Sequence, residues 1–288
     1  MTHTGRAAVS VFAGIFWRDH AHRARAAETA ARIEELGYAG LWLSAGHERG
    51  LPDVFDDLLG ATRSIPVGAG ILSIWHTPAE EAAATFARLE SAHPGRFVLG
   101  LGASHPTAYD AYAKPYTRMR EYLDALDRAT PPVPHERRVV AALGPRMLAL
   151  AADRSRGAFP YFVTPEHTAL ARDRVGPDAW LMTEQAVLLE TDPDTARRVG
   201  REHMTYYLQQ PNYTRALRDL GYDDADLADG GSDRLVDALV AWGDEAAVAE
   251  RVAAHHAAGA DDVAIQVLTS GADDFATDDY ARLAPALL

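Results

Sequence analysis

The stretch Ile65-Pro66-Val67-Gly68-Ala69-Gly70-Ile71-Leu72-Ser73-Ile74, followed by Trp75-His76 and then Thr77-Pro78-Ala79-Glu80, holds one complete structural unit. A run of small and β-branched apolar residues without polar alternation is what a strand buried on both faces needs. The tetrapeptide after it combines a capping box, Thr77 with Glu80, and a proline at the first helical position. Ala79, Ala82, Phe86 and Leu89 then recur at helical spacing as a buried stripe. The spacing predicts a buried strand, a polar turn and a helix.

Working outward, the same unit recurs along the chain. Residues 9–16 read as a strand, followed by a helix to about Leu36 with Ala26, Ala30 and Ile33 on one face and Gly37 as its stop. Further strands are predicted at 40–44, at 97–101, at 138–143 before Gly144-Pro145, at 157–163 before Thr164-Pro165, at 180–190 before Asp192-Pro193, and at 262–268. Residues 197–233 carry Tyr206, Tyr207, Tyr213 and Tyr222 without a strand pattern, which predicts extra helices before the last unit. Eight strand–helix units in 288 residues predict a single α/β domain over residues 1–288, a (β/α)8 TIM barrel, with a doubly wound open sheet as the alternative. No repeat or linker interrupts it.

Composition excludes several chemistries. The chain has no cysteine, so disulfides, thiolate metal sites, iron–sulfur clusters and cysteine nucleophiles are out. Lys114 is the one lysine, in a polar stretch broken by proline, which disfavours Schiff-base catalysis. A formal charge of −13 and the lack of a basic stripe argue against nucleic acid as a partner. No apolar run approaches about 18 residues, so no membrane span is expected. The apolar run from 7 to 17 is read as the first strand and not a signal peptide, since Arg18-Asp19-His20 follows where small residues should precede cleavage; a cytoplasmic location is expected. His47-Glu48 and His135-Glu136 lack the second histidine of a zinc-protease helix, and His255-His256, about 100° apart on a helix, read as solvated surface residues. No metal site is expected. Gly100-Leu101-Gly102 is a weak dinucleotide signal, because His105 replaces the third glycine.

In such a barrel the C-terminal strand ends form the site. They bring Trp17 and Arg18, Ser44 and His47, Ser73 with Trp75 and His76, Ser104-His105, Gly144-Pro145-Arg146, Thr164 with His167, and Glu184-Gln185 or Glu190. Histidines, hydroxyls and indoles without a metal cluster suit an organic cofactor with a planar ring. The helix starts at Gly144-Pro145-Arg146 and Thr164-Pro165-Glu166-His167 present free N–H groups to an anion, with ordinary capping as the competing explanation.

Gly37-Tyr38-Ala39-Gly40-Leu41-Trp42, Pro94 through Gly102 with Ser104-His105, and Tyr122 through Asp127 resemble the bacterial luciferase-like superfamily in its deazaflavin-dependent oxidoreductase branch. Ala158 through Thr168, Pro211-Asn212-Tyr213 and Ala258 through Ala264 extend the resemblance over nearly the whole chain. It implies a barrel, usually homodimeric, that holds coenzyme F420, or less often FMN, at its C-terminal mouth. It also implies a non-prolyl cis peptide behind the ring, here Gly70-Ile71, and a cofactor tail near Gly144 and near Thr164 to His167. The residues so assigned to cofactor binding are Ser44, Gly70, Ile71, Ser104, Gly144, Arg146, Thr164 and His167. One departure stands out: after Trp42 many relatives carry an acidic residue where this chain has Ala45, so acid–base work falls to His105 first and His47 second. The implied activity is hydride transfer between deazaflavin C5 and a small organic substrate. The alternatives are an FMN-dependent monooxygenase and a non-catalytic homologue that binds the cofactor without turnover.

Overall fold

The computed structural model describes residues 7–14, 17, 20–45, 51–105, 112–269 and 275–288. Strands β1 (Ala8–Ala13), β2 (Leu41–Leu43), β3 (Val67–Ala69), β4 (Leu72–Ser73), β5 (Phe97–Gly102), β6 (Arg138–Val140), β7 (Gly157–Ala158), β8 (Trp180–Leu188), β9 (Val240–Trp242) and β10 (Asp262–Val267) pair in parallel throughout. β10 pairs with both β1 and β8, which closes the sheet. Closure removes the open-sheet alternative. β3 and β4 make one stave around a cis Gly70-Ile71 bond, the bond that the resemblance singles out. The architecture is a TIM barrel whose eight staves coincide with the eight expected strands.

Helices α1 (Arg23–Leu36), α2 (Leu51–Ala61), α3 (Ala79–Ala92), α4 (Pro115–Arg128), α5 (Pro145–Arg154) and α6 (Pro165–Val175) each follow a stave. Between β8 and β10 lie α7 (Pro193–Leu208), α8 (Pro211–Asp219), α9 (Asp224–Leu227), α10 (Asp233–Leu239), β9 and α11 (Glu245–Ala257); α12 (Thr277–Leu287) closes the chain. The expected extra helices are there. The sequence reading passed over α2, although Leu51, Val54, Phe55, Leu58 and Leu59 follow a helical period and are buried. β9, also unforeseen, pairs with Ala186 to Leu188, taking the edge of β8 opposite β10.

Apolar side chains form three clusters. Phe12, Trp42, Val98, Val139, Phe159, Trp180, Met182 and Ala264 fill the barrel interior. Gly68 makes room for this filling, since a Cβ there would lie 2.2 Å from the Trp42 ring. A second cluster lies between sheet and helices, and a third lies under the inserted helices around Val199, Met204, Tyr213, Leu235 and Val236.

Three local expectations are corrected. The capping box at Thr77 does not form: Pro78 is the N-cap of α3 and no side chain caps it. Thr77 is held in the preceding turn instead, its N–H donating to the Ser73 carbonyl and its carbonyl accepting the Tyr122 hydroxyl. His255 is not a surface residue. It is fully buried on α11 beside Val248 and Val252, with Nδ1 2.9 Å from the Thr168 hydroxyl and Nε2 2.9 Å from Gln185 Oε1. β7 is also shorter than expected, because Pro160 has no N–H for a ladder and Phe162 turns into the left-handed region at φ 60°.

Candidate functional site

The strand ends surround a cavity of about 680 Å³, within the range of small-molecule and cofactor sites. One side is a cradle of small residues at the ends of β1, β5 and β6: Ala13, Gly14, Gly102, Ala103, Ala141, Ala142 and Gly144. At Gly102 the size is set by packing. A Cβ at Gly102 would come within 2.4 Å of Ile71 Cδ1, so glycine there lets the stave with the cis bond lie close to β5. At Gly144, the N-cap of α5, a Cβ would meet nothing within 4 Å, so backbone faces open space. The opposite side is aromatic and comes from the insertion, with His203, Tyr206 and Tyr207 on α7 and Asn212 and Tyr213 on α8, together with Tyr161 after β7.

His105 lies between the two sides. Ser104 leaves β5 with φ 54°, a left-handed turn that costs a serine on the order of 1 kcal/mol. The turn delivers the imidazole to ring contacts with Tyr213 at 5.2 Å and Tyr206 at 5.9 Å. Its Nδ1 is 3.3 Å from Asn212 Oδ1. An amide oxygen accepts, so Nδ1 carries the proton and Nε2 the lone pair. Burial lowers the His105 pKa below the usual imidazole value, against a smaller opposite effect of Asn212. The ring is therefore neutral at pH 7.

Behind it runs a chain of hydroxyls. Tyr161 donates to Gln266 Oε1 at 2.8 Å, which commits its one proton, so Tyr207, 2.8 Å away, donates to Tyr161. Burial raises all three tyrosines here, Tyr207 to about 12 and Tyr161 and Tyr213 well above their ordinary value. His203 also lines the cavity, its pKa pushed down to about 4 by burial and its Nε2 buried without a hydrogen-bond partner among the described residues. Two positions beyond Met182 on β8, Glu184 faces inward and accepts the Phe162 N–H at 3.1 Å through Oε2, while Oε1 has no partner among the described residues. Burial pushes its carboxyl up to about 8, the Phe162 N–H opposing.

Of the residues expected at the site, Ser44, Gly70, Ile71, Ser73, Ser104, His105 and Gly144 line the cavity. Arg146 is exposed with its guanidinium 4.3 Å over the Tyr116 ring, outside the lining. Thr164 and His167 are buried at the start of α6 and also outside it, His167 Nε2 donating to the Leu143 carbonyl at 3.1 Å. Trp17 packs on Phe275, Trp75 donates to the Ala103 carbonyl, and Gln185 donates to the Leu239 carbonyl; all three support the fold. Ala45, at the position where relatives carry an acid, is fully buried in the core between sheet and helices. Arg18 and His47 lie outside the described residues. The sequence reading missed Tyr161, His203 and Gln266, and it recorded Tyr206, Tyr207 and Tyr213 without giving them a place. The signal available was the concentration of rings in one polar insertion. Among the described residues, no three His, Cys, Asp or Glu could hold a metal ion, and no helix is long and apolar enough to cross a membrane.

Comparison with solved structures places the architecture among known enzymes. An F420-dependent secondary alcohol dehydrogenase, solved with an F420–acetone adduct, superposes with a TM-score of 0.73 at 14% identity, over 98% of this chain and 99% of that one. The F420-dependent tetrahydromethanopterin reductase of Methanopyrus kandleri gives 0.67 at 16% identity, over 96% and 97%. The oxygenating constituent of 3,6-diketocamphane monooxygenase from the CAM plasmid of Pseudomonas putida, solved with FMN, gives 0.68 at 14% identity, over 98% and 99%. No curated protein matches the chain in sequence. Residues 6–262 match the luciferase-like monooxygenase family, and by that match over most of its length the chain belongs to the family of luciferase-like oxidoreductases and monooxygenases.

Proposed function

We propose that the protein is an F420-dependent oxidoreductase that moves a hydride between the deazaflavin and a small organic substrate. The observation that carries the reading is the cavity itself, with a backbone cradle on one side, an aromatic wall on the other and a neutral histidine between. A flat ring fits the cradle, because Gly14 and Gly144 present no side chain within it and a Cβ at either would meet nothing within 4 Å. The first turn of α5 would hold the ring's tail through the Arg146 N–H, since Pro145 has none and the Met147 and Leu148 N–H groups donate to the Gly144 carbonyl, with the Arg146 side chain outside to meet anionic groups. When bound, the deazaflavin supplies a two-electron acceptor or donor at C5.

The chain's own residues do the rest. His105 Nε2 takes the proton that the substrate loses on oxidation, or returns it on reduction, so that one hydride and one proton are exchanged in each turnover. Asn212 fixes the tautomer in which Nε2 is free to accept. The aromatic wall excludes water from the reacting carbon. The resemblance to the deazaflavin branch favours F420 over FMN, and it favours a homodimer. Titration of the purified protein with each cofactor, followed by absorbance and fluorescence, tests the assignment. F420 is expected to bind at least about tenfold tighter, a difference of about 1.4 kcal/mol; equal or reversed affinities would sink the reading.

A further inference from the structure

We infer that the substrate taken by this cavity is an uncharged, ring-based compound carrying, besides its reacting group, a hydroxyl or carbonyl oxygen, which the inserted helices recognise through His203 and Tyr207. This deepens the proposal above and rests on its reading of the cavity as the reaction site. Charge is the first ground. The described lining residues include no Asp, Glu, Lys or Arg, and burial keeps both lining histidines neutral at pH 7. A carboxylate or phosphate brought against these described residues would lose its water and gain no countercharge from them, at a cost of several kcal/mol.

Shape is the second ground. Tyr161, Tyr207 and Tyr213 form a continuous wall with ring centroids 5.2, 5.5 and 6.4 Å apart. Planar or alicyclic rings bury the most apolar surface against such a wall. The oxygen is the third. Tyr207 has given its hydrogen to Tyr161, so its lone pairs remain as acceptors, while His203 Nε2 is buried and unpartnered. The two residues are four apart on α7 and share a helix face. An imidazole nitrogen that donates or accepts according to tautomer, next to an accepting hydroxyl oxygen, matches a hydroxyl other than the one whose proton passes to His105; with Nε2 protonated it also matches a carbonyl. A substrate oxygen would also relieve the unpaired nitrogen.

The test is calorimetric binding of 2-naphthol and 2-naphthoate, which share a ring system and differ in charge. The expected result is 2-naphthol at least about tenfold tighter than 2-naphthoate. Tyr207→Phe and His203→Leu should each weaken 2-naphthol about three- to tenfold, the worth of one hydrogen bond, while His203→Gln, which keeps a donor and an acceptor, should retain most of the binding. Equal binding of the two probes would overturn the charge argument, and unchanged 2-naphthol binding in both Tyr207→Phe and His203→Leu would overturn the recognition argument. The cofactor titration is independent. A protein that binds neither F420 nor FMN but keeps the preference for 2-naphthol breaks the proposed function and not this inference, and one that binds F420 but takes both probes equally does the reverse.

Discussion

The two sides of the cavity are built on different principles. The cradle is made of strand ends, where small residues are dictated by the approach of one stave to the next, as at Gly102 against Ile71. The wall is made of helices inserted between β8 and β10, and its rings are held by one another and by hydroxyl contacts such as Tyr207 to Tyr161. The first is inherited with the barrel and suits any flat cofactor. The second stands outside the staves of the barrel, and it is where selectivity for a substrate has to be sought.

His105 belongs to both sides, carried by β5 and oriented by Asn212 of the insertion, so its loss should have the largest effect. His105→Ala is expected to lower turnover by roughly 10²- to 10⁴-fold while cofactor affinity stays within a few-fold, because general acid–base help is felt in the transition state. Steady-state kinetics beside a cofactor titration will tell; retained turnover would place the proton elsewhere. A smaller effect is expected on the cradle. Gly144→Val adds atoms where a Cβ meets no neighbour, so the fold should survive, and the intruding side chain should weaken cofactor binding by about tenfold, the usual scale of overpacking by one side chain. An unchanged cofactor affinity would show that the ring lies elsewhere.

The last effect falls on stability, on the wall side, and not on turnover or cofactor binding. Glu184 keeps a proton in the folded state up to about pH 8, whereas an unfolded glutamate releases it near 4.5. Its contribution is therefore fully present below about pH 4.5 and is lost progressively as pH rises towards 8. Glu184→Gln retains an acceptor for the Phe162 N–H and removes this dependence. Denaturant unfolding should find the variant more stable than the wild type by on the order of 4 kcal/mol at pH 8 and by almost nothing at pH 4.5. A gap that widens on acidification would show that Glu184 is ionised in the folded protein.

How far the sequence could be read differed in the same way between the two sides. Strands of the barrel announced themselves as apolar runs punctuated by Gly-Pro, Thr-Pro and Asp-Pro, because burial on both faces and helix starts leave local marks; Gly37 ends α1 with φ 99° as its position suggested. Strand-end positions followed from the strands, which is why Ser44, Ser104, His105 and Gly144 were found. The wall left no such mark. Tyr161 and His203 are 42 residues apart in sequence and meet through tertiary packing around Phe162. His255 was misread because its neighbour His256 invited a surface reading, although the spacing of Val248, Val252 and His255 places it on the inner face of α11. Thr164 and His167 show the opposite error: a helix start with free N–H groups was recognised, but its side chains are spent on packing and on the Leu143 carbonyl.

β9 has a consequence for how such a protein can change. The chain leaves the barrel at the end of β8 and returns to it along Ala186 to Leu188, so the exit and the re-entry of the excursion lie side by side in one hydrogen-bonded ladder. The entropy of closing a loop depends only weakly on its length once its ends are fixed, roughly 0.6 kcal/mol for each doubling. The segment from 189 to 239 is thus a cassette with stitched ends. It can be lengthened, shortened or exchanged for another helical hairpin while the strand ends beneath it keep their register, which lets substrate range evolve on an unaltered redox platform.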